Sequence, residues 1–436
     1  MNSTAHGGGV AEMLRTLLSY VRGAGIEAHW AVLAGDAQFF SITKRIHNFI
    51  HGSAGDGGPL GSDERHAYDR VMAGNLPGLL NLIAPGSVVM LHDPQTAGLV
   101  RPLLLHGCTV VWRCHIGIRE PNAYSDQAWD FLEPDLRDAD RLIFSQDAYI
   151  PAILANGPTS VVAPSIDPFS PKNQALTPEA VDAILSAAGL LARDPSGAAP
   201  VFHRLGGRSS EVRNRATLLD GGPPPQPDRP LVLQVSRWDR LKDHAGVMRG
   251  FAESALPGAG VDLMLAGPQN GSVSDDPEAK QVLDELLALF GTLPERVRRR
   301  IHIASLPTAD EAENAAIVNA LQRHAAVVVQ KSIEEGFGLT VTEAMWKARP
   351  VVASGVGGIR AQVSDGRTGL LLDDPQDLPA FAEALSGLLH NLERAGELAA
   401  AGRASVLANF LPDRHLGQYM DLLGALDVRN AGAQPW

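Results

Sequence analysis

The chain has 436 residues, 45% of them hydrophobic, with a net charge of −12 and two cysteines. The length exceeds one compact core, so two domains are expected. The acidic balance without a basic stripe argues against a nucleic-acid or anionic-membrane surface, and no apolar run approaches the roughly 18–20 residues of a membrane span.

The chain opens MNSTAHGGGVAEMLRTLLSYV. Val10 to Val21 reads as a helix with Val10, Met13, Leu14, Leu17 and Leu18 on one face. Gly7, Gly8 and Gly9 lead straight into it, as phosphate-binding loops do. Such loops hang from a strand, yet no apolar run precedes the glycines. A first strand of about five or six residues is therefore expected to be missing. Met1 is expected to be an internal methionine taken as a start, or this form to be compromised.

AHWAVLAG (28–35), SVVMLHD (87–93), CTVVWRCH (108–115) and RLIFS (141–145) read as strands with helical patterns between them. Cys108 and Cys114 would share one face of one strand, too far apart to bridge. Two reduced core thiols imply a cytoplasmic protein. Residues 194–230 are rich in Gly, Pro and Arg and lack periodicity, which reads as a linker or surface insertion. The alternation restarts with LVLQVS (231–236), VDLMLAG (261–267), RIHIASL (300–306), AVVVQKS (326–332) and PVVAS (350–354). Leu378, Phe381, Leu385 and Leu388 mark a later helix, and 428–436 reads as a frayed tail. The expected architecture is α/β, with two doubly wound Rossmann-like domains facing across a cleft. Its divisions are 1–193, a 194–230 connection, 231–409, and a C-terminal helix and tail over 410–436 that packs back on the first domain.

Ligands of open parallel sheets bind beyond the carboxyl ends of the strands, so those ends carry the candidates. After AVVVQKS comes IEEGFGLTVTEAMWKARPVVAS, with Glu335 in a loop and Glu343 in the following helix. Gly336, Phe337 and Gly338 stand where that helix begins, and its free N–H groups suit an anion. Arg237 and Lys242 follow LVLQVS, and two cations there suit a diphosphate leaving with growing negative charge. His115 and Arg113 end CTVVWRCH. LHDPQ carries His92, Asp93 and Gln95; Asp93 can face the cleft, cap the next helix ahead of Pro94, or do both. Asp138-Ala139-Asp140 reads as a helix end rather than a metal site, and no His/Cys/carboxylate spacing suggests zinc. His6-Gly7-Gly8-Gly9 also matches a lipase oxyanion loop, but the G-x-S-x-G elbow it needs is absent.

EEGFGLTVTEAMWKARPVVASGVGGI is similar to the signature of retaining glycosyltransferases of family four, which have the GT-B fold. The resemblance implies that Glu335 holds donor-sugar hydroxyls and Glu343 the ribose. The N–H groups around Phe337, Gly338 and Leu339 would meet sugar and diphosphate, and Arg237 and Lys242 the phosphates. His115 would touch the donor sugar near the reacting centre, where Glu335, Arg237 and Lys242 also act. MNSTAHGGGVAEM, GDAQFFSITKRIHNFIHG, LHDPQ, WRCHI, APSIDPFSPKN and QVSRWDRLKD extend the resemblance to the trehalose glycosyltransferring synthases, with fungal trehalose phosphorylases as more distant relatives.

That family joins glucose from a nucleoside-diphosphate glucose to free glucose, reversibly, giving α,α-trehalose. The resemblance implies that Gly7, Gly8 and Gly9 lie near donor phosphates and acceptor. Asp93, Gln95 and Arg113 would hold acceptor hydroxyls, and the LAGPQNG region (265–271) would meet the base. The implied co-substrate is NDP-glucose; Mg2+ enters only as a companion of the diphosphate, with no metal motif to hold it. The partners are sugars and nucleotide sugars, without nucleic acid or membrane, and a homodimer is the candidate assembly. The competing readings are a trehalose phosphorylase, a family-four transferase with another acceptor, and a nucleotide-sugar-binding protein without turnover.

Overall fold

The computed structural model describes residues 1–4, 9–192, 197–269 and 277–430. The chain divides into two compact units, Met1–Ser165 joined by the chain from Pro412 onward, and Ile166–Leu411. The division thus falls after Ser165 rather than at residue 193.

The first unit holds a four-stranded parallel sheet of β1 (Val88–His92), β2 (Thr109–Arg113), β3 (Arg141–Phe144) and β4 (Thr159–Val161), in that order. β2 is buried along its whole length. Its side chains alternate between two cores, as a strand period of two requires. Val110 and Trp112 join Phe39, Ile46, Tyr68, Trp129 and Phe144. Val111 joins Ile143, Met13 and Leu17 of the helix Gly9–Gly23, and Tyr419, Leu422 and Leu426 of the helix Pro412–Asn430. Each such large side chain contributes about 1.5–3 kcal/mol by leaving water.

The expected strand over 28–35 is reduced to one bridge, Asn2 with Val32. A strand persists only where a neighbour supplies its ladder, and the segment beside Val32 is Met1–Asn2. There Leu33 N–H donates to Asn2 O at 2.9 Å, and His92 N–H donates to Met1 O at 3.0 Å.

The second unit holds a seven-stranded sheet. Before its main strands come a hairpin of β5 (Val201–His203) and β6 (Ser209–Glu211) and the short β7 (Thr217–Leu218). The main strands are β8 (Leu231–Val235), β9 (Asp262–Pro268), β10 (Ile301–Leu306), β11 (Val327–Gln330), β12 (Val351–Ser354) and β13 (Leu370–Leu372). Their order is β13-β12-β11-β8-β9-β10-β7, all parallel except β7. β8 lies between β9 and β11, so the chain leaves it in one direction and returns on the other side. That makes the gap between β8 and β11 the switch point where such sheets bind ligands.

Where it is described, the 194–230 stretch is folded onto the second unit and is not a linker. Phe202 and Val212 are buried. Arg204 pairs with Asp310 at 3.1 and 2.5 Å. Glu313 Oε2 accepts from the Arg213 and Asn214 N–H groups at 3.0 and 2.9 Å. Its Gly/Pro/Arg composition hid this, because the partners are Glu313 on the helix Glu311–His324 and that helix's cap, Asp310.

Candidate active site

The second unit assembles its charged groups at the switch point. Lys242 ends a short 3-10 turn, Arg240–Lys242, capped by Asp239, which accepts the Leu241 N–H at 2.9 Å. Gln234, wholly buried on β8, donates to Lys242 O at 2.7 Å and accepts the Lys331 N–H at 3.1 Å. The next residue, Asp243, has φ 49°, in the left-handed region. Its carboxylate accepts the Gly246 N–H at 3.0 Å and pairs with Lys331, which is itself buried. A Cβ on Gly246 would stand 2.1 Å from Asp243 Oδ2, so any larger residue there would push the Asp243 carboxylate aside. The loop carrying Lys242 is thus tied to both β8 and β11.

Lys242 and Glu335, 93 residues apart in sequence, meet at 2.7 Å. The same carboxylate oxygen lies 3.2 Å from Gln330 Nε2 and 3.2 Å from Ser332 Oγ. Three donors therefore aim Glu335. Behind it, Gly338 has φ 84° and caps the helix Leu339–Trp346, with Ile359 where a Cβ would go, at 2.9 Å. Phe337 is buried, and its carbonyl accepts from Gln362. Gly336 O accepts the Gly358 N–H at 3.0 Å. At the start of the helix Val341 N–H turns back to Gly338 O at 2.9 Å; the N–H groups ahead of it have no carbonyl one turn earlier to meet. Arg237 is more than half exposed and touches Asp239 at 3.2 Å.

Glu343 lies in the second turn of that helix, with its side chain 3% exposed and 3.0 Å from Lys172 Nζ. The segment bearing Lys172 is strapped down next door. Lys347 Nζ donates to Asn173 Oδ1 at 2.9 Å and Gln322 Oε1 at 2.7 Å, and Trp346 donates to Asn173 O at 2.9 Å. Residues 265–268 of LAGPQNG are the carboxyl end of β9, and just beyond it Gln269 N–H donates to Leu306 O at 2.8 Å; Asn270 and Gly271 lie outside the described residues.

In the first unit a second group gathers after β1 and β2. His92 Nδ1 and His115 Nε2 are 3.0 Å apart, with the rings stacked. Burial holds both imidazoles well below the usual histidine range, so the pair is neutral. Asp93 adopts φ 65°, ψ 172°, a conformation that costs about 1–3 kcal/mol and gathers at functional sites. Its neighbours over-determine it. Its N–H donates to Arg113 O at 2.8 Å, its carbonyl accepts Trp112 Nε1 at 3.1 Å, and its carboxylate accepts the His115 N–H at 2.9 Å. The carboxylate does not cap the following turn. Gln95 is half-buried in that turn, and Gly9 opens the first helix; Gly7 and Gly8 lie outside the described residues.

Burial pushes the Asp93 carboxyl up to about 7, against the weaker pull of the His115 N–H and Arg113. Native Asp93 therefore keeps a proton that the unfolded chain releases near pH 4, and its contribution to stability falls as pH rises from about 4 to about 7. In urea melts at pH 5 and pH 8, Asp93→Asn is expected to lose less stability over that interval than the parent. An equal loss would remove Asp93 as the titrating group.

Cations, two carboxylates and a helix start at one switch point suit a sugar linked to a diphosphate. Residues 1–151 match the family described as trehalose synthase, N-terminal domain, and residues 232–391 match glycosyl transferases group 1. A trehalose synthase of Rubrobacter xylanophilus is 35% identical over 98% of this chain and 89% of its own length. The chain belongs to the trehalose synthase family. A trehalose phosphorylase of Pleurotus pulmonarius is 28% identical over 90% of this chain, which spans 51% of that relative. Among solved structures, an α,α-trehalose-phosphate synthase (UDP-forming) from Burkholderia vietnamiensis matches with TM-score 0.69 at 16% identity, over 100% of this chain and 98% of that one. The fold is GT-B, and the protein is a glycosyltransferase.

Within this trehalose synthase fold, Arg113 departs from its expected duty on the acceptor. It is wholly buried, and its guanidinium donates to His415 Nε2 at 2.9 Å, to Val162 O at 3.1 Å and to Tyr419 Oη. Two buried carbonyl and ring acceptors and a phenol draw it into the sheet and away from its strand end. Asp140 also serves the sheet, accepting the Val110 N–H at 2.7 Å. Among the described residues no group of three His, Cys, Asp or Glu could hold a metal, and no helix is long and apolar enough to cross a membrane. Lys172, Lys331, Asp243 and Gln234 were not found from sequence. They lie in the runs SPKN (170–173), AVVVQKS, QVSRWDRLKD and LVLQVS, where nothing local reveals their partners.

Proposed function

We propose that the protein transfers glucose from an NDP-glucose to free glucose with retention, forming α,α-trehalose, and that the reaction is reversible. The Lys242–Glu335 contact at the β8/β11 switch point carries this reading, because it sets a fixed cation beside a carboxylate aimed by three donors. In it, Lys242 and Arg237 hold the diphosphate, Glu335 the glucosyl hydroxyls, and Glu343 the ribose. Backbone N–H groups of Gly336 to Leu339 meet the sugar and the phosphate. His115 serves the glucosyl group, Asp93 and Gln95 the acceptor, and Gly7, Gly8 and Gly9 the phosphates. The sheet position of Arg113 removes it from this set.

The chemistry is a front-face displacement. The anomeric carbon–oxygen bond to the diphosphate breaks as the acceptor hydroxyl attacks from the same side. The departing phosphate oxygen takes the hydroxyl proton, and Lys242 offsets the charge that develops. Trapping a glycosyl ester on Glu335 by mass spectrometry would overturn this path in favour of a covalent one. Two buried free thiols support a cytoplasmic setting.

The test is a panel of ADP-, UDP- and GDP-glucose with glucose, the product identified by its anomeric NMR signals, and the reverse reaction with trehalose plus each nucleotide. Trehalose formation from at least one donor is expected. Release of glucose 1-phosphate from trehalose with phosphate alone would make the protein a phosphorylase. Nucleotide-sugar binding without product under any acceptor would make it a non-catalytic binder.

A further inference from the structure

The second unit carries another cavity, of about 780 Å3, which none of the donor-site residues line. It lies at the amino ends of β9 and β10, beside the turn after β7 and the run Glu295–Arg300. Lys242 and Glu335 follow the carboxyl ends of β8 and β11 in the same parallel sheet. One strand length of about 17–20 Å separates the two ends, so one small ligand cannot occupy both places.

Five arginines line the cavity, and the charges among them do not balance. Glu295 is engaged by Arg299, and Asp262 by Arg300 at 3.3 Å. Asp220 accepts the N–H groups of Ile303 and Gly222 at 3.0 and 3.2 Å. Among the described residues, Arg229, Arg296 and Arg298 are left without a carboxylate. His302 also lines the cavity. It is 4% exposed and neither ring nitrogen has a hydrogen-bond partner, with Asp220 Oδ2 3.6 Å from Nδ1. Buried polar atoms without partners are uncommon and call for a ligand or water. Phe290 and the Pro223–Pro225 run add an apolar wall.

We propose that this cavity binds a small phosphorylated molecule, its phosphate oxygens on Arg229, Arg296 and Arg298, with His302 donating a hydrogen bond. Guanidinium forks match phosphate oxygens in pairs. The cavity has the size of a small-ligand site, and the acidic chain as a whole disfavours a nucleic-acid polymer. The apolar wall leaves room for the organic part of the molecule. The proposal does not depend on the transferase reading.

Calorimetric titration with inorganic pyrophosphate, and separately with glucose 6-phosphate, tests it on the full chain at low salt. Three proteins are compared: the parent, the double variant Arg229→Ser/Arg296→Ser, and Lys242→Ala. Both changed arginines are exposed, so folding should persist, and a circular dichroism melt checks it. Both probes are expected to bind the parent and Lys242→Ala. Each should bind the double variant at least about tenfold more weakly, the loss of charge-assisted contacts setting that scale. A second, pyrophosphate-only site that disappears in Lys242→Ala would belong to the donor loops and leave the cavity unaffected. Binding equal in the parent and the double variant, binding lost in Lys242→Ala alone, or no binding of either probe would each overturn the proposal. Glucosyl transfer without added phosphate should be unchanged in the double variant. Transfer failing in every protein would therefore count against the transferase reading and not against this site.

Discussion

Lys242→Ala is expected to lower kcat for glucosyl transfer by about 10²–10³-fold, the scale seen when one preorganised donor to a developing negative charge is removed. The ammonium is placed before any ligand arrives. Asp239 caps its turn, Gln234 holds its carbonyl at 2.7 Å, and the Lys331–Asp243 pair anchors the residue after it. The side chain is only 12% exposed. Its interaction with a leaving diphosphate is therefore less screened than that of a surface lysine. The same change leaves Glu335 its contacts with Gln330 and Ser332, so loss of sugar binding should be the smaller part of the effect. Initial rates at saturating NDP-glucose and glucose measure it, with a thermal melt to show that the fold survives. Lys242→Arg should recover little, because a planar fork does not replace a point charge held in this turn. A kcat within threefold of the parent would remove Lys242 from the reacting centre.

Arg113→Ala is expected to destabilise the first unit by about 3 kcal/mol or more, a cost in the range for breaking a buried polar network and opening a cavity. Arg113 sits on the fully buried β2, and its guanidinium reaches His415 and Tyr419 on the helix Pro412–Asn430. The contact spans 302 residues of sequence. Burial holds His415 far below the usual histidine range, with Arg113 adding to the effect. A neutral ring can accept the guanidinium proton at Nε2; Nδ1 then carries the hydrogen and donates to Ser165 Oγ at 2.8 Å. Removing Arg113 leaves Val162 O, His415 Nε2 and Tyr419 Oη short of a partner in the interior. For a unit of this size the loss corresponds to a fall in Tm of about 6–12 °C. Differential scanning calorimetry reads it, and limited proteolysis reports whether the C-terminal helix loosens first. An unchanged Tm would show that the helix is held by Tyr419, Leu422 and Leu426 alone.

The legible parts of the molecule are those whose information is local. LVLQVS, VDLMLAG, RIHIASL and PVVAS are apolar runs long enough to be strands buried on both faces, and all four are strands. Gly338 could be read at a helix start because only glycine adopts its φ cheaply. The 28–35 run failed because a strand is also a statement about its neighbour. For 194–230 the linker alternative gives way to the surface insertion, because the order of the stretch comes from Asp310 and Glu313, about a hundred residues away.

Hydrophobic period and turn chemistry act over a few residues, so the α/β alternation, the two doubly wound halves and the residue types at the strand ends are written along the chain. Which charges meet is a property of the folded molecule. It sets Glu335 on Lys242, Glu343 on Lys172, Arg113 on the C-terminal helix, and three arginines in one cavity whose carboxylates are engaged by other groups. Coulomb interactions and hydrogen bonds depend on distance in space, and the order of strands in the sheet, which sequence separation does not encode, sets that distance.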